Sequence, residues 1–221
     1  MPDVSACREL GHRKGLAAGL AAVLDGLPLQ EAAPRGLVAV PRWTGPADAV
    51  PVPLPLVHGE GVEVLRIDGP AGPGLTGTRA AALAAVRLGV LDQLLDLAVE
   101  RLRHREFGGT PIIERQLVTG EIADLVTEAE ELAAALERAD DGVPPAVSVA
   151  WHERLDALGW RVAMFFGAEG YITDHPARSV HVAAVVANVC VAQASDGHPV
   201  SPTPSVSPTP SALSVPQEAP C

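Results

Sequence analysis

Hydrophobic positions in the centre of the chain recur at helical spacing. Leu83, Val86, Val90, Leu94 and Leu97 are three or four residues apart and predict one apolar face of a helix. That helix starts near Thr78, a capping residue, and runs to about Arg105. A second stripe, Val118, Ile122, Leu125, Ala129, Leu132 and Leu136, alternates steps of four and three and predicts a bundle-facing helix over residues 113–139. Asp140-Asp141-Gly142 and Pro144-Pro145 then break the pattern. Beyond the break, Leu155, Leu158, Val162 and Phe165 predict a third helix over residues 147–166, ended by Gly167 and Gly170. Residues 176–194 open on a proline suited to a first helical turn and are rich in Val and Ala, a pattern ambiguous between a buried helix and a strand, of which the helix is expected.

The flanks read differently. Residues 5–25 have helical composition weakened by Gly15, Gly19 and Gly26, so residues 1–33 are expected to be a short helix or irregular. Residues 34–76 turn to Pro, Gly and Val, with apolar pieces at 37–40, 50–57 and 62–67 that predict a small β segment. Pro51, Pro53 and Pro55 confine the middle piece to an edge strand or extended loop, because proline cannot donate to a central ladder. Residues 77–195 form the helical unit. Residues 196–221 repeat VSPTPS and are expected to be a disordered tail of polyproline character, open to a Pro-rich motif reader or simply solvated.

Composition narrows the function classes. Aromatic residues are 3% of a chain that is 48% hydrophobic, so the core must be built from Ala, Leu and Val packed at close range, which suits helices. A formal net charge of −11 argues against nucleic acid and anionic membrane surfaces as partners. The one dense basic run, RLRHRE at residues 101–106, reads as a helix C-terminus answering its dipole or as a phosphate-binding group. Cys7, Cys190 and Cys221 lack metal-ligand spacing, so free thiols are expected and no metal site. The N-terminal residues lack signal-peptide character and no stretch is long and apolar enough to span a bilayer, which leads to the expectation of a soluble, cytoplasmic protein.

Two landmarks suggest more. LGVLDQLLDLAVERLRHREFGGTPIIERQ at residues 88–116 and GAEGYITDHP at residues 167–176, separated by the second and third helices, resemble the C-terminal helical domain of acyl-CoA dehydrogenases. The resemblance covers residues 79–192 and implies a mainly α fold, a four-helix up-and-down bundle. Its motifs are an Arg-x-x-Phe-Gly turn followed by a Gln, and a Gln-x-x-Gly-Gly-x-Gly turn. Laid without a gap, the first places Arg105 on the Arg, Gly109 on the Gly and Gln116 on the Gln, with Gly108 at the aromatic position and Phe107 just before it. In the second, Gly167 and Gly170 match, whereas Met164 and Ala168 stand where Gln and Gly would be.

The resemblance implies FAD as cofactor and an acyl-CoA thioester as substrate. Arg105, Gly109, Gln116, Gly167 and Gly170 become the cofactor-binding candidates, and a guanidinium recognises pyrophosphate in fork geometry. It also implies a catalytic carboxylate that this chain lacks. Val191 occupies the common base position and Arg79 the one used by a few members, and neither is a general base at neutral pH. Family sites are built across subunit interfaces. The chain is therefore expected to act as a homo- or hetero-oligomer with a complete dehydrogenase subunit, inactive alone; the alternative is a noncatalytic helical oligomerisation or regulatory module descended from the family. His152-Glu153 with Asp156, Asp174-His175 and Ser179 with His181 read as solvated or capping groups, with no nucleophile, base and orienter in one context.

Overall fold

The computed structural model describes residues 2–42, 44–46, 49–171 and 174–192. The expected tail, residues 196–221, lies outside these. The fold is mainly α, a four-helix up-and-down bundle with a small sheet beside it.

The central element is α3 (Gly77–His104). Its residues 80–91 are buried on every side, in keeping with the Ala-rich sequence there: small side chains let other helices approach from several directions. A two-strand hairpin, β4 (Glu106–Phe107) and β5 (Thr110–Pro111), leads through a 3-10 turn (Ile112–Glu114) into α4 (Gln116–Glu137). α5 (Pro145–Met164) and α6 (Arg178–Cys190) complete the bundle, so the ambiguous Val/Ala segment is a helix. The stripes of α4 and α5 point inward from Leu125 and Leu155 onward. Four expected core positions are not buried, Val118 and Ile122 near the start of α4 among them. Leu97 lies 43% exposed, since the buried line of α3 runs from Leu94 through Ala98 to Leu102 and leaves Leu97 beside it, and Phe165 is half-buried while Phe166 fills the core.

Residues 1–33, where a short helix or irregular chain was expected, hold a helix. α1 (Val4–Leu24) is 21 residues long and packs along α3. Its glycines weaken a helix in isolation but serve the packing here: side chains at Gly11 and Gly19 would overlap Val86 of α3, and one at Gly89 would overlap the Arg8 carbonyl. Only Gly15 breaks the helix, with φ of 79°. Tertiary contact overrides propensity in this helix.

Residues 34–76 contain the expected strands, β1 (Leu37–Pro41), β2 (Val50–Val52) and β3 (Val62–Arg66), antiparallel in the order β1-β3-β2. Proline-bearing β2 takes an edge, and residues 55–58 form a short helical turn, α2 (Pro55–His58), rather than more strand. Cys190 joins sheet to bundle. Its Sγ accepts from the Ala39 N–H at 3.3 Å, and burial pushes the thiol up to about 12. No described helix is long and apolar enough to cross a membrane.

Candidate functional site

α3 ends where Arg105 leaves helical geometry, its N–H still donating to the Arg101 carbonyl. The hairpin then reverses the chain through Gly108 and Gly109, both in the left-handed region at φ of 67° and 78°, a turn that glycine pairs adopt without steric cost. Phe107 pairs with Thr110 and Glu106 with Pro111, and the Ile112 N–H donates to the Arg105 carbonyl at 2.8 Å. Arg115 caps α4, its carbonyl accepting from Val118 and Thr119 N–H groups, so Gln116 is the first helical residue. Arg105, Gly109 and Gln116 are all exposed along this short path.

The second landmark lies at the same end. Gly167 (φ 61°) and Gly170 sit in a 3-10 turn (Gly167–Tyr171) after α5. Glu169 of that turn pairs with Arg101 of α3 at 2.7 Å, and Arg161 of α5 pairs with Glu121 and Glu128 of α4 at 2.8 and 2.5 Å. The five cofactor-binding candidates thus gather at one end of the bundle. They differ in what they need glycine for. A side chain on Gly109 or Gly167 would meet nothing within 4 Å, so space remains beside them, whereas Gly170 is required by packing, its absent Cβ falling 2.9 Å from the Ala163 carbonyl.

The two base positions lie at the other end of α3. Arg79 is in the first turn of α3, and its guanidinium donates to the Val23 carbonyl at 2.5 Å and to the Asp25 carbonyl at 3.3 Å. It satisfies carbonyls that the C-terminus of α1 leaves open. Val191 is 2% exposed, and the backbone on either side of it is stitched to Leu75: the Leu75 N–H donates to Cys190 O at 2.7 Å and the Ala192 N–H to Leu75 O at 3.1 Å. A cavity of about 80 Å3 beside Val191 is lined also by His152, Glu153, Asp156 and Asn188.

That cavity borders a polar cluster that sequence reasoning placed in solvent. Arg87, 3% exposed, donates from Nη1 to His152 Nδ1 at 2.9 Å and to the His152 carbonyl at 3.2 Å, and its Nη2 pairs with Asp156. Burial, and then the Arg87 charge, hold His152 well below its usual value, so it is neutral with its proton on Nε2. His152 and Asp156 are four residues apart, and Arg87 lies inside the α3 stripe; a cation embedded in an apolar run was the available signal that it needed partners. Asp156 is committed to Arg87, not free as a base. The other small constellations are structural: His175 Nδ1 accepts from the Ala177 N–H at 3.1 Å and its ring meets Phe166 edge-on, while His181 meets Trp160 edge-on. Among the described residues no group of His, Cys, Asp and Glu is arranged to hold a metal.

The chain is a helical-bundle domain with a glycine hairpin and a glycine turn at one end. Over residues 74–197 the chain matches the family described as acyl-CoA dehydrogenase, C-terminal domain, and it belongs to the acyl-CoA dehydrogenase family. No curated protein matches it. Among solved structures it is similar to the Tcur3481-Tcur3483 steroid ACAD G363A variant, at 24% identity over 68% of this chain and 49% of that one, with a TM-score of 0.48. It is similar to the ChsE4-ChsE5 complex from Mycobacterium tuberculosis, at 24% identity over 67% and 46%, TM-score 0.44. Butyryl-CoA dehydrogenase from Megasphaera elsdenii is 18% identical over 72% and 46%, TM-score 0.49. The chain spans about half the length of these structures.

Members of the family are flavoproteins. Arg105 is exposed beside the open space over Gly108 and Gly109, and its guanidinium fits a phosphate-bearing group there, whereas Arg101 is paired with Glu169, Arg103 with Glu100 and Arg115 with the hairpin. Val191 is apolar and Arg79 is bound to carbonyls, so neither position that the resemblance assigns to a base holds a carboxylate.

Proposed function

We propose that this chain is a noncatalytic member of the acyl-CoA dehydrogenase family that completes the FAD site of a catalytic dehydrogenase subunit across an interface. Arg105 and Gln116 would hold the phosphate-bearing part of the cofactor, with Gly109, Gly167 and Gly170 shaping the surface around them. FAD, when bound, accepts the electrons removed from an acyl-CoA thioester; the base for that step belongs to the other subunit. The same reading places the assembly in the cytoplasm, as a homo- or hetero-oligomer.

The observation that supports this is separation. The 28-residue α3, about 40 Å long, holds Arg79 near one end and Arg105 just past the other, with Val191 beside the first. One extended dinucleotide does not bridge that distance, so the binding residues and this chain's base position face different cofactor molecules.

The test is co-expression with a flavin-bearing acyl-CoA dehydrogenase subunit from the same genome, followed by the flavin-to-protein ratio of the isolated complex. The proposal expects a loaded complex that loses flavin on Arg105→Ala or Gln116→Ala. A second reading is favoured by Leu97, Phe107, Leu117, Trp160 and Met164, large apolar side chains exposed toward the hairpin end of the bundle: a helical oligomerisation module without cofactor. A complex whose flavin content and turnover ignore both substitutions would select that second reading.

A further inference from the structure

α1 is two helical halves joined at Gly15. Gly15 has φ of 79° and ψ of −176°, a conformation essentially confined to glycine, and a side chain there would meet nothing within 4 Å. Packing therefore leaves this bend free to change, and the halves on either side of it are held in different ways. Beyond the bend, Leu16, Leu20, Val23 and Leu24 are buried in the core, and Arg79 fastens the end by donating to the Val23 and Asp25 carbonyls. Before it, Cys7 is the only buried side chain of Val4–Lys14, since buried Gly11 carries none.

What holds Val4–Lys14 in place is mostly polar. Arg8 Nε donates to Asp92 of α3 and Arg8 Nη2 to Glu130 of α4, both at 2.7 Å, and His12 Nε2 donates to Asp96 of α3 at 2.9 Å. Water and salt reach these groups: an open groove of about 800 Å3 lined by Arg8, His12, Asp92 and Asp96 runs along them, and the Glu130 and Asp96 side chains are 62% and 75% exposed. The segment also carries its own helical supports. Asp3 caps its N-terminus, accepting from the Ser5 and Ala6 N–H groups at 2.9 and 3.2 Å, and Glu9 pairs with Arg13 one turn on.

We propose that Val4–Lys14 is a strap, latched across α3 and α4 by Arg8 and His12 and hinged at Gly15, whose release bares the Cys7 thiol and the surface formed by Ala85 and Leu88 of α3 with Ala133 and Leu136 of α4. Screening of the latch releases the strap, while the half of α1 beyond the hinge stays in the core. Opening relieves the bend, because Gly15 then takes helical dihedrals and α1 becomes one straight helix. The strap acts whether or not a cofactor is held at the hairpin.

The experiment is iodoacetamide labelling of the full chain at pH 8 in about 0.05 M and about 1 M sodium chloride, with peptide mass mapping to read Cys7 and Cys190 separately. Cys190, fully buried between sheet and bundle, reports global unfolding. At the low salt concentration both thiols are expected to stay shielded. At the high one the screening length falls to about 3 Å, and Cys7 is expected to react roughly five- to tenfold faster while Cys190 stays shielded. Arg8→Met should give the fast Cys7 rate already at low salt and remove most of its salt dependence. Gly15→Ala, which strains the bend and favours a straight helix, should raise the Cys7 rate at both salt concentrations. The salt comparison needs only the wild type, so it stands even where a variant fails to fold. Cys7 and Cys190 reacting in step under every condition would overturn the proposal, as would a folded Gly15→Ala chain whose Cys7 is as protected as in the wild type.

Discussion

Asp156→Ala and Arg87→Met alter the same ion pair, and the structure gives them different consequences. Arg87 is 3% exposed, whereas the Asp156 side chain is 44% exposed. Removing Asp156 leaves a guanidinium inside the α3–α5 interface with only the neutral ring and the carbonyl of His152 as partners. Breaking a fully buried pair in this way costs about 3–5 kcal/mol, and the partial exposure of Asp156 reduces the expectation to about 2 kcal/mol. Arg87→Met instead removes the buried charge and frees an aspartate that water already reaches. Arg87 Nε has no hydrogen-bond partner, so its loss costs nothing, while the loss of Nη1 leaves His152 Nδ1 without its donor; the net change is expected to cost about 1 kcal/mol, less than Asp156→Ala. Urea unfolding at neutral pH, with the slope checked for constancy, reads both values. For a chain of this size the Asp156→Ala loss corresponds to a drop of about 4–8 °C in melting temperature. An Arg87→Met chain as unstable as Asp156→Ala, or an Asp156→Ala chain as stable as the wild type, would refute the view that Arg87 is a buried charge held by Asp156.

Other consequences are simpler. His152 is depressed below its unfolded value of about 6.5, so the unfolded chain binds more protons below that pH; stability should be full above it and fall as pH drops, by at most about 1.4 kcal/mol per unit, and His152→Gln should flatten this slope in pH-dependent urea melts. Gly89→Ala should destabilise by 1–3 kcal/mol or more (roughly the cost of overpacking), because its Cβ overlaps the α1 backbone, whereas Gly108→Ala meets open space and should cost only about 1 kcal/mol of left-handed strain in the same melts. Cys190 and Cys7, raised to about 12 and about 11 by burial, should escape iodoacetamide in the native protein at pH 8 and react after unfolding, as read by peptide mass mapping.

The bundle was legible because its helices carry stripes that three- and four-residue spacing reveals, and because the glycine turn after α5 is a local signal. α1 was harder to read. Gly11, Gly15 and Gly19 are breakers by propensity, and their value as close-approach points exists only once Val86 and Gly89 of α3 are opposite them. Leu97 kept a three-residue spacing from Leu94, but the buried line of α3 continues by steps of four through Ala98 and Leu102, a choice between adjacent positions that periodicity leaves open. In the candidate site the glycines and Arg105 could be named from motif positions. The grip of Arg115 on Phe107 could not, since it depends on a hairpin folding eight residues of chain back on themselves. The Arg87 cluster joins residues 65 and 69 positions apart, and only packing brings them together.

The central claim is that this chain supplies binding residues to a flavin whose chemistry occurs elsewhere. The most direct test is the visible absorption spectrum of the purified chain after incubation with FAD and desalting, then after anaerobic addition of acyl-CoA. The protein is expected to emerge without a flavin band, because weak binding to half a site does not survive desalting. A chain that retains stoichiometric flavin and bleaches it with acyl-CoA would contradict the account, since neither Val191 nor Arg79 can take the proton.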